Sequence, residues 1–323
     1  MNSARVNIAG KSQLTDWVAG IGFAEWDAAD GQEHDVFSAR DQYVGADFCD
    51  YGELVAGRFV DSTYSVEAAT DLYEDAAGSV QGKLNAERRG GQLMYTFDNN
   101  GFFAQAGVQT AQNNAALIDN QYFFDEDSYA IDSGYNGVLG YTFEDVVFGP
   151  LAFKAGYSYV KGQTNDDLGE PAVDDAGELI TGVYANGNAF ENFKHANASI
   201  AWGNFESGFY VAALFDRAVL NTKYDRKTNY GYELAAGYAF DNGVSVLAGY
   251  ETSYYYTKTA GEESKYNKAI VRRIPVFVNY TVNENFNVWT EAGFNAGSSA
   301  SAEEFVNEAA REALFSVGAR YTF

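Results

Sequence analysis

The sequence predicts an all-β fold, an antiparallel transmembrane β-barrel with a long loop folded into its lumen, and three features carry that expectation. Apolar and polar residues alternate in about fifteen runs of roughly ten residues, the length a tilted strand needs to cross a bilayer. The breaks between runs are by turns short and long, as hairpins on one side and loops on the other require. The composition is rich in Gly (33), Tyr (24) and Phe (24) but holds only 3 Pro, 2 Met and 1 Cys, unlike a two-domain soluble enzyme. No apolar run approaches the eighteen or so residues of a membrane helix. The mean hydropathy of −0.29 suits strands whose two faces average out.

The runs follow one another in order. Residues 3–10 place Val6 and Ile8 on one face and Arg5 and Asn7 on the other. A turn over 11–16 leads to 17–26, and 27–35 is a polar loop before 37–48 and 53–59. Residues 59–87 are a long acidic loop bracketed by Arg58 and Arg88, and a loop of that length between neighbouring strands needs a purpose. Strands are then expected at 88–97 and 101–110, joined at Asp98-Asn99-Asn100, and at 135–143 and 151–161. A second long loop, 162–191, carries seven acids, among them Asp166, Asp167, Glu170, Asp174, Asp175 and Glu178. The remaining strands are 194–202, 208–217, 230–240, 244–256, 270–280, 286–296 and 313–323, with Asp241-Asn242-Gly243 as the strongest hairpin signal.

Charge and rare residues exclude several functions. A formal charge of −24 argues against nucleic acid, whose phosphates need a basic surface. One cysteine, Cys49, permits no intrachain disulfide, and His34 and His195 alone make a zinc cluster unlooked for, so no metal and no cofactor are expected. No Ser/His/Asp arrangement, P-loop or dinucleotide fingerprint is present, and no enzyme is expected. Asp71 and Asp75 as a glycosidase pair have no second catalytic signature beside them. Asn197-Ala198-Ser199 matches a glycosylation sequon, but on a strand of a bacterial barrel it reads as accidental.

The terminal Gly318-Ala319-Arg320-Tyr321-Thr322-Phe323 and the order of turns resemble the general diffusion porins of Gram-negative outer membranes, above all the trimeric enterobacterial type, over nearly the whole chain. Ala4-Arg5-Val6, Ala39-Arg40 and Glu87-Arg88-Arg89-Gly90-Gly91 are similar to the segments that carry that family's wall arginines. The resemblance implies one porin domain over 1–323, with 59–87 as constriction loop. It implies a pore lined by Arg5, Arg40 and Arg88 facing Glu67, Asp71, Glu74 and Asp75, where Leu72-Tyr73-Glu74-Asp75-Ala76 replaces the family's usual Pro-Glu-Phe-Gly-Gly. It further implies Phe323 as outer-membrane insertion signal, Glu33 as subunit latch, a homotrimer and contact with outer-membrane lipid. Family barrels have sixteen strands, so a chain with fifteen and no signal peptide is expected to be an N-terminally truncated gene product.

The function these residues imply is a water-filled channel for passive diffusion of small hydrophilic solutes and cations. Close arginines facing carboxylates make a transverse field across the waist, and acidic loops enrich cations at the mouth. The alternatives are a substrate-selective oligosaccharide porin, a non-conducting structural or adhesive barrel, and a soluble β-sandwich binding module. Alternation places Asp41 and Arg89 on outer faces; Tyr254-Tyr255-Tyr256 and the strand-end aromatics Trp26, Tyr141, Phe143, Tyr238, Phe240, Tyr280, Tyr321 and Phe323 suggest interfacial girdles, with a sugar-stacking slide as the alternative.

Overall fold

A computed structural model describes residues 4–29, 37–74, 88–117, 128–164, 166–174, 176–259, 267–300 and 312–323. Its strands are β1 (Ala4–Thr15), β2 (Val18–Ala29), β3 (Ser38–Asp47), β4 (Glu53–Phe59), β5 (Arg89–Asn99), β6 (Phe102–Gln109), β7 (Gln112–Ala116), β8 (Ser128–Val146), β9 (Gly149–Gly162), β10 (Pro171–Val173) and β11 (Leu179–Tyr184). They continue as β12 (Asn192–Gly203), β13 (Gly208–Asn221), β14 (Asp225–Ala239), β15 (Val244–Thr259), β16 (Asn267–Asn283), β17 (Phe286–Asn295), β18 (Ser299–Ala300) and β19 (Leu314–Tyr321). One short helix, α1 (Tyr64–Glu67), lies in the loop after β4.

Neighbours in sequence pair as antiparallel neighbours in space, from β1 with β2 to β17 with β19. The sheet holds seventeen strand segments. Of these, β7 continues the wall of β6 against β8, and β18 continues that of β17 against β16, so the described residues form fifteen walls. All twelve residues of β1 are exposed, and among the described residues no strand register joins β1 to β19. The sheet nonetheless curls round its own contents. The loop that leaves β4 touches β9, β12, β13, β14, β17 and β19 by hydrogen bonds, which a flat sheet could not provide.

Alternation decides which face meets lipid. Along β8, Tyr135, Leu139, Tyr141 and Phe143 are exposed on the outside, while Asn136 and Val138 are buried within. The same rule splits the tyrosine triplet, correcting its uniform assignment to a girdle. Tyr255 is fully buried in an interior apolar cluster with Ile131, Phe193, Leu220 and Val271, while Tyr254 and Tyr256 pack edge-on against Tyr232 and Tyr230 of the neighbouring strand. Tyr238, Phe240, Tyr280 and Tyr321 are exposed at strand ends, as girdle residues are.

Local chemistry sets the turns. Asn100 and Gly101 both have positive φ (52° and 77°), the requirement of a two-residue turn matching strand twist, and so the β5–β6 turn lies one to two residues later than Asp98-Asn99-Asn100 suggests. A Cβ on Gly101 would meet the Thr142 carbonyl oxygen of β8. Gly101→Ala should therefore cost more than about 1 kcal/mol, read as a lowered midpoint of the heat-induced loss of the folded gel band. The turn between β1 and β2 is only Asp16-Trp17, much shorter than 11–16. The loop 162–191 is not irregular throughout: β10 and β11 pair as a hairpin within it.

Candidate functional site

The loop after β4 begins with a buried joint. Asp61 Oδ1 accepts from the Thr63 amide (2.9 Å) and hydroxyl (2.9 Å), and Oδ2 accepts from Ser158 Oγ of β9 (2.7 Å) and from the Arg89 guanidinium of β5 (3.0 Å). Both members of the Arg89–Asp61 pair are at most 1% exposed. A buried charge needs such a partner, and together they fix where the loop turns inward.

From that joint the loop runs along the inner wall. Val66 is fully buried against Val138 and Leu214, and Lys154 Nζ donates to the Ser65 carbonyl (3.2 Å). Tyr210 donates its hydroxyl to the Ala69 carbonyl (2.6 Å), Thr70 donates to Glu233 (2.5 Å), and Glu291 accepts from the Glu74 amide (2.6 Å). Leu72 and Tyr73 pack on the cluster of Ala235, Leu247 and Phe277. Apolar side chains thus supply the area, and inward-facing wall carboxylates satisfy loop donors that water no longer reaches.

Two bulges arrange the opposite wall. Between β2 and β3 the register passes from Ala24↔Gln42 to Trp26↔Ala39, so Glu25 stands opposite both Arg40 and Asp41. The two consecutive side chains then reach the lumen together, and the outward placement of Asp41 is corrected: it accepts from Arg88 Nε at 2.7 Å. Between β4 and β5 the register slips from Gly57↔Gln92 to Phe59↔Arg89, with Gly91 at φ 68°. That bulge takes Arg89 off the outer face and into its pair with Asp61, a second correction.

Each wall arginine named from the sequence has a wall carboxylate as partner. Arg5 Nε contacts Asp27 (3.0 Å), and Arg40 contacts Glu25 (2.7 Å) and Asp27 (3.1 Å). On the loop, Asp71 is exposed and accepts from the Tyr64 hydroxyl at 3.4 Å, and Glu74 pairs with Arg320 of β19. Glu67 does not face the lumen. It is fully buried behind the loop, 3.5 Å from His195 Nε2 and accepting from Asn197 Nδ2 at 3.2 Å. Burial, with the carboxylates of Asp216, Glu233, Asp71 and Asp61 nearby, pushes its carboxyl group well above the usual carboxylate range. Burial and the acids Glu251, Glu233 and Glu291 likewise push the Tyr73 phenol up. Asp75 and Glu33 lie outside the described residues.

Sequence reasoning missed His195, Asp216, Glu233 and Glu291 as loop anchors. The signal was available: each is a titratable side chain at an inward position of its strand, where a docked partner offsets the desolvation.

The model of the Gram-negative porin family matches residues 1–323. Porin-like protein L of Photobacterium profundum is 27% identical over 334 residues, covering 99% of this chain and 80% of the relative. Outer membrane porin F of Salmonella typhi is 23% identical, covering 90% of this chain and 77% of the relative. Among solved structures, in-vitro folded OmpT of Vibrio cholerae, an outer membrane protein in trimer form, superposes with a TM-score of 0.63 at 15% identity, covering 99% of this chain and 91% of that one.

Proposed function

Because the chain belongs to the Gram-negative porin family and is an outer-membrane β-barrel channel for passive diffusion, we propose that it prefers cations among small hydrophilic solutes and acts as a channel rather than a catalyst. Its single domain spans 1–323, and its constriction loop is 59–87. The narrowest section lies between the Arg5, Arg40 and Arg88 wall and the loop acids Asp71, Glu74 and Asp75.

One observation carries the cation preference. The wall arginines are matched in place by Glu25, Asp27 and Asp41, so their positive field is largely spent at short range within a chain of formal charge −24. Glu67 contributes to loop docking instead of to the field in the lumen. Phe323, fully exposed and stacked on Tyr321, is the insertion signal. The working assembly is a homotrimer in outer-membrane lipid, with Glu33 as latch between subunits; OmpT of Vibrio cholerae has been solved in a trimer form.

Reversal potentials in a planar bilayer under a salt gradient test this reading. The wild type should give stepwise channels whose zero-current potential reports cation preference. In Asp71→Asn/Asp75→Asn the permeability ratio should fall toward one with channels still open. Unchanged selectivity in that variant would remove the loop acids from the constriction, and saturable block of current by an oligosaccharide would replace general diffusion by selective uptake.

A further inference from the structure

We propose that Glu67, His195 and Asp216 bind one divalent ion of the zinc class, riveting the constriction loop to β12 and β13. One oxygen or nitrogen of each residue lies within 4.8 Å of the others, and all three side chains are at most 1% exposed. His195 Nε2 stands 2.6 Å from Asp216 Oδ2 and 3.5 Å from Glu67 Oε1. Two donors held at about 2.1 Å on a tetrahedral ion stand about 3.4 Å apart, so the Glu67 spacing already suits an ion and Asp216 has to withdraw by less than about 1 Å.

The surrounding hydrogen bonds fix which imidazole nitrogen serves. The Thr63 hydroxyl gives its proton to Asp61, whose two oxygens act only as acceptors from Thr63, Ser158 and Arg89. Thr63 Oγ1 therefore has only a lone pair left for His195 Nδ1, 3.1 Å away, and Nδ1 must be the N–H donor. With that tautomer set, Nε2 points its remaining site between two carboxylates, where either a proton or a metal ion completes it. A ligating histidine usually donates its other ring N–H to an oxygen acceptor that fixes the tautomer, and here a hydroxyl backed by the Asp61 carboxylate fills that role. Asn197 Nδ2 donates to Glu67 Oε1, the same oxygen that lies nearest His195 Nε2, and so holds it in place.

A dication also satisfies charge balance. Within the cluster two buried carboxyl groups face one imidazole, while the nearby Arg89 guanidinium contacts a third, that of Asp61. A dication neutralises both cluster carboxylates with the imidazole neutral. One nitrogen with two oxygen donors selects the row from cobalt to zinc over calcium, which takes six to eight oxygens.

Because the cluster is sealed behind the loop, the test folds the full chain in detergent with and without Co2+, after chelation of adventitious metal. The wild type should retain a single cobalt equivalent per chain with a visible ligand-field band, displaced on refolding with Zn2+. Glu67→Gln and Asp216→Asn should each lose that equivalent, and Thr63→Val should weaken it about tenfold to a hundredfold. A wild type without one saturable equivalent, or an equivalent that survives in either ligand variant, overturns the site and leaves protons as the only cations there. Should both ligand variants fail to fold, the wild-type titration and Thr63→Val decide: an unaltered affinity in the latter overturns the proposal. The readout is binding, so it stands apart from whether the channel selects cations.

Discussion

Arg89→Met is expected to destabilise the folded barrel by about 3–5 kcal/mol and to free the constriction loop from its wall. The guanidinium is 1% exposed and contacts Asp61 at 3.0 Å, and its removal leaves that carboxylate buried with only the neutral donors of Thr63 and Ser158. The uncompensated charge costs far more than the pair's net contribution, which gives a sharper expectation for the double variant. Arg89→Met/Asp61→Asn should recover much of the loss, because no orphaned charge remains. Urea unfolding of detergent-folded protein measures the first effect, and protease sensitivity of 60–74 together with a raised single-channel conductance measures the second. A single-variant loss below about 1 kcal/mol would show that the apolar contacts of Val66, Leu72 and Tyr73 hold the loop without the joint.

That joint marks the boundary of what the sequence makes legible. Each of the fifteen expected runs overlaps one of the fifteen walls, since period-two alternation follows from one face meeting lipid and the other the lumen. The constriction was readable as residue types but not as contacts. Arg40 and Asp41 break alternation because a bulge inserts a residue there, and Arg89 changes face because a second bulge falls at Gly90-Gly91 opposite Arg58; only the cross-strand register reveals either. The loop was harder still. Val66, Leu72 and Tyr73 follow no period, and their partners lie on strands more than seventy residues away, so nothing local says that the segment turns inward. What the wall did show was a set of acids at inward positions, Asp216, Glu233 and Glu291, and these are the groups that the loop engages or approaches.

Leu139→Arg is the complementary test, because it probes the outer face as Arg89 probes the inner. Leu139 is 61% exposed on β8 and lies midway between Tyr135 and Phe143, which are about 26 Å apart along the strand at 3.3 Å per residue. Its cross-strand neighbours are Ala104 and Ala155, neither of them able to pair with a guanidinium. If Leu139 lies near the middle of the apolar band, an arginine there costs about 2–4 kcal/mol, whereas toward the exposed aromatics Tyr135 and Phe143 the cost should decline to at most about 1 kcal/mol. Thr142→Arg on the inward face of the same strand should be nearly neutral, since water in the lumen solvates it. Folding free energies in lipid vesicles measure all of these, and the expected pattern is a maximum at Leu139 that falls off toward both girdles. Equal costs at Leu139 and Thr142 would mean that the outer face of β8 does not meet hydrocarbon, for the charge can tell the two faces apart only if one of them lies in lipid.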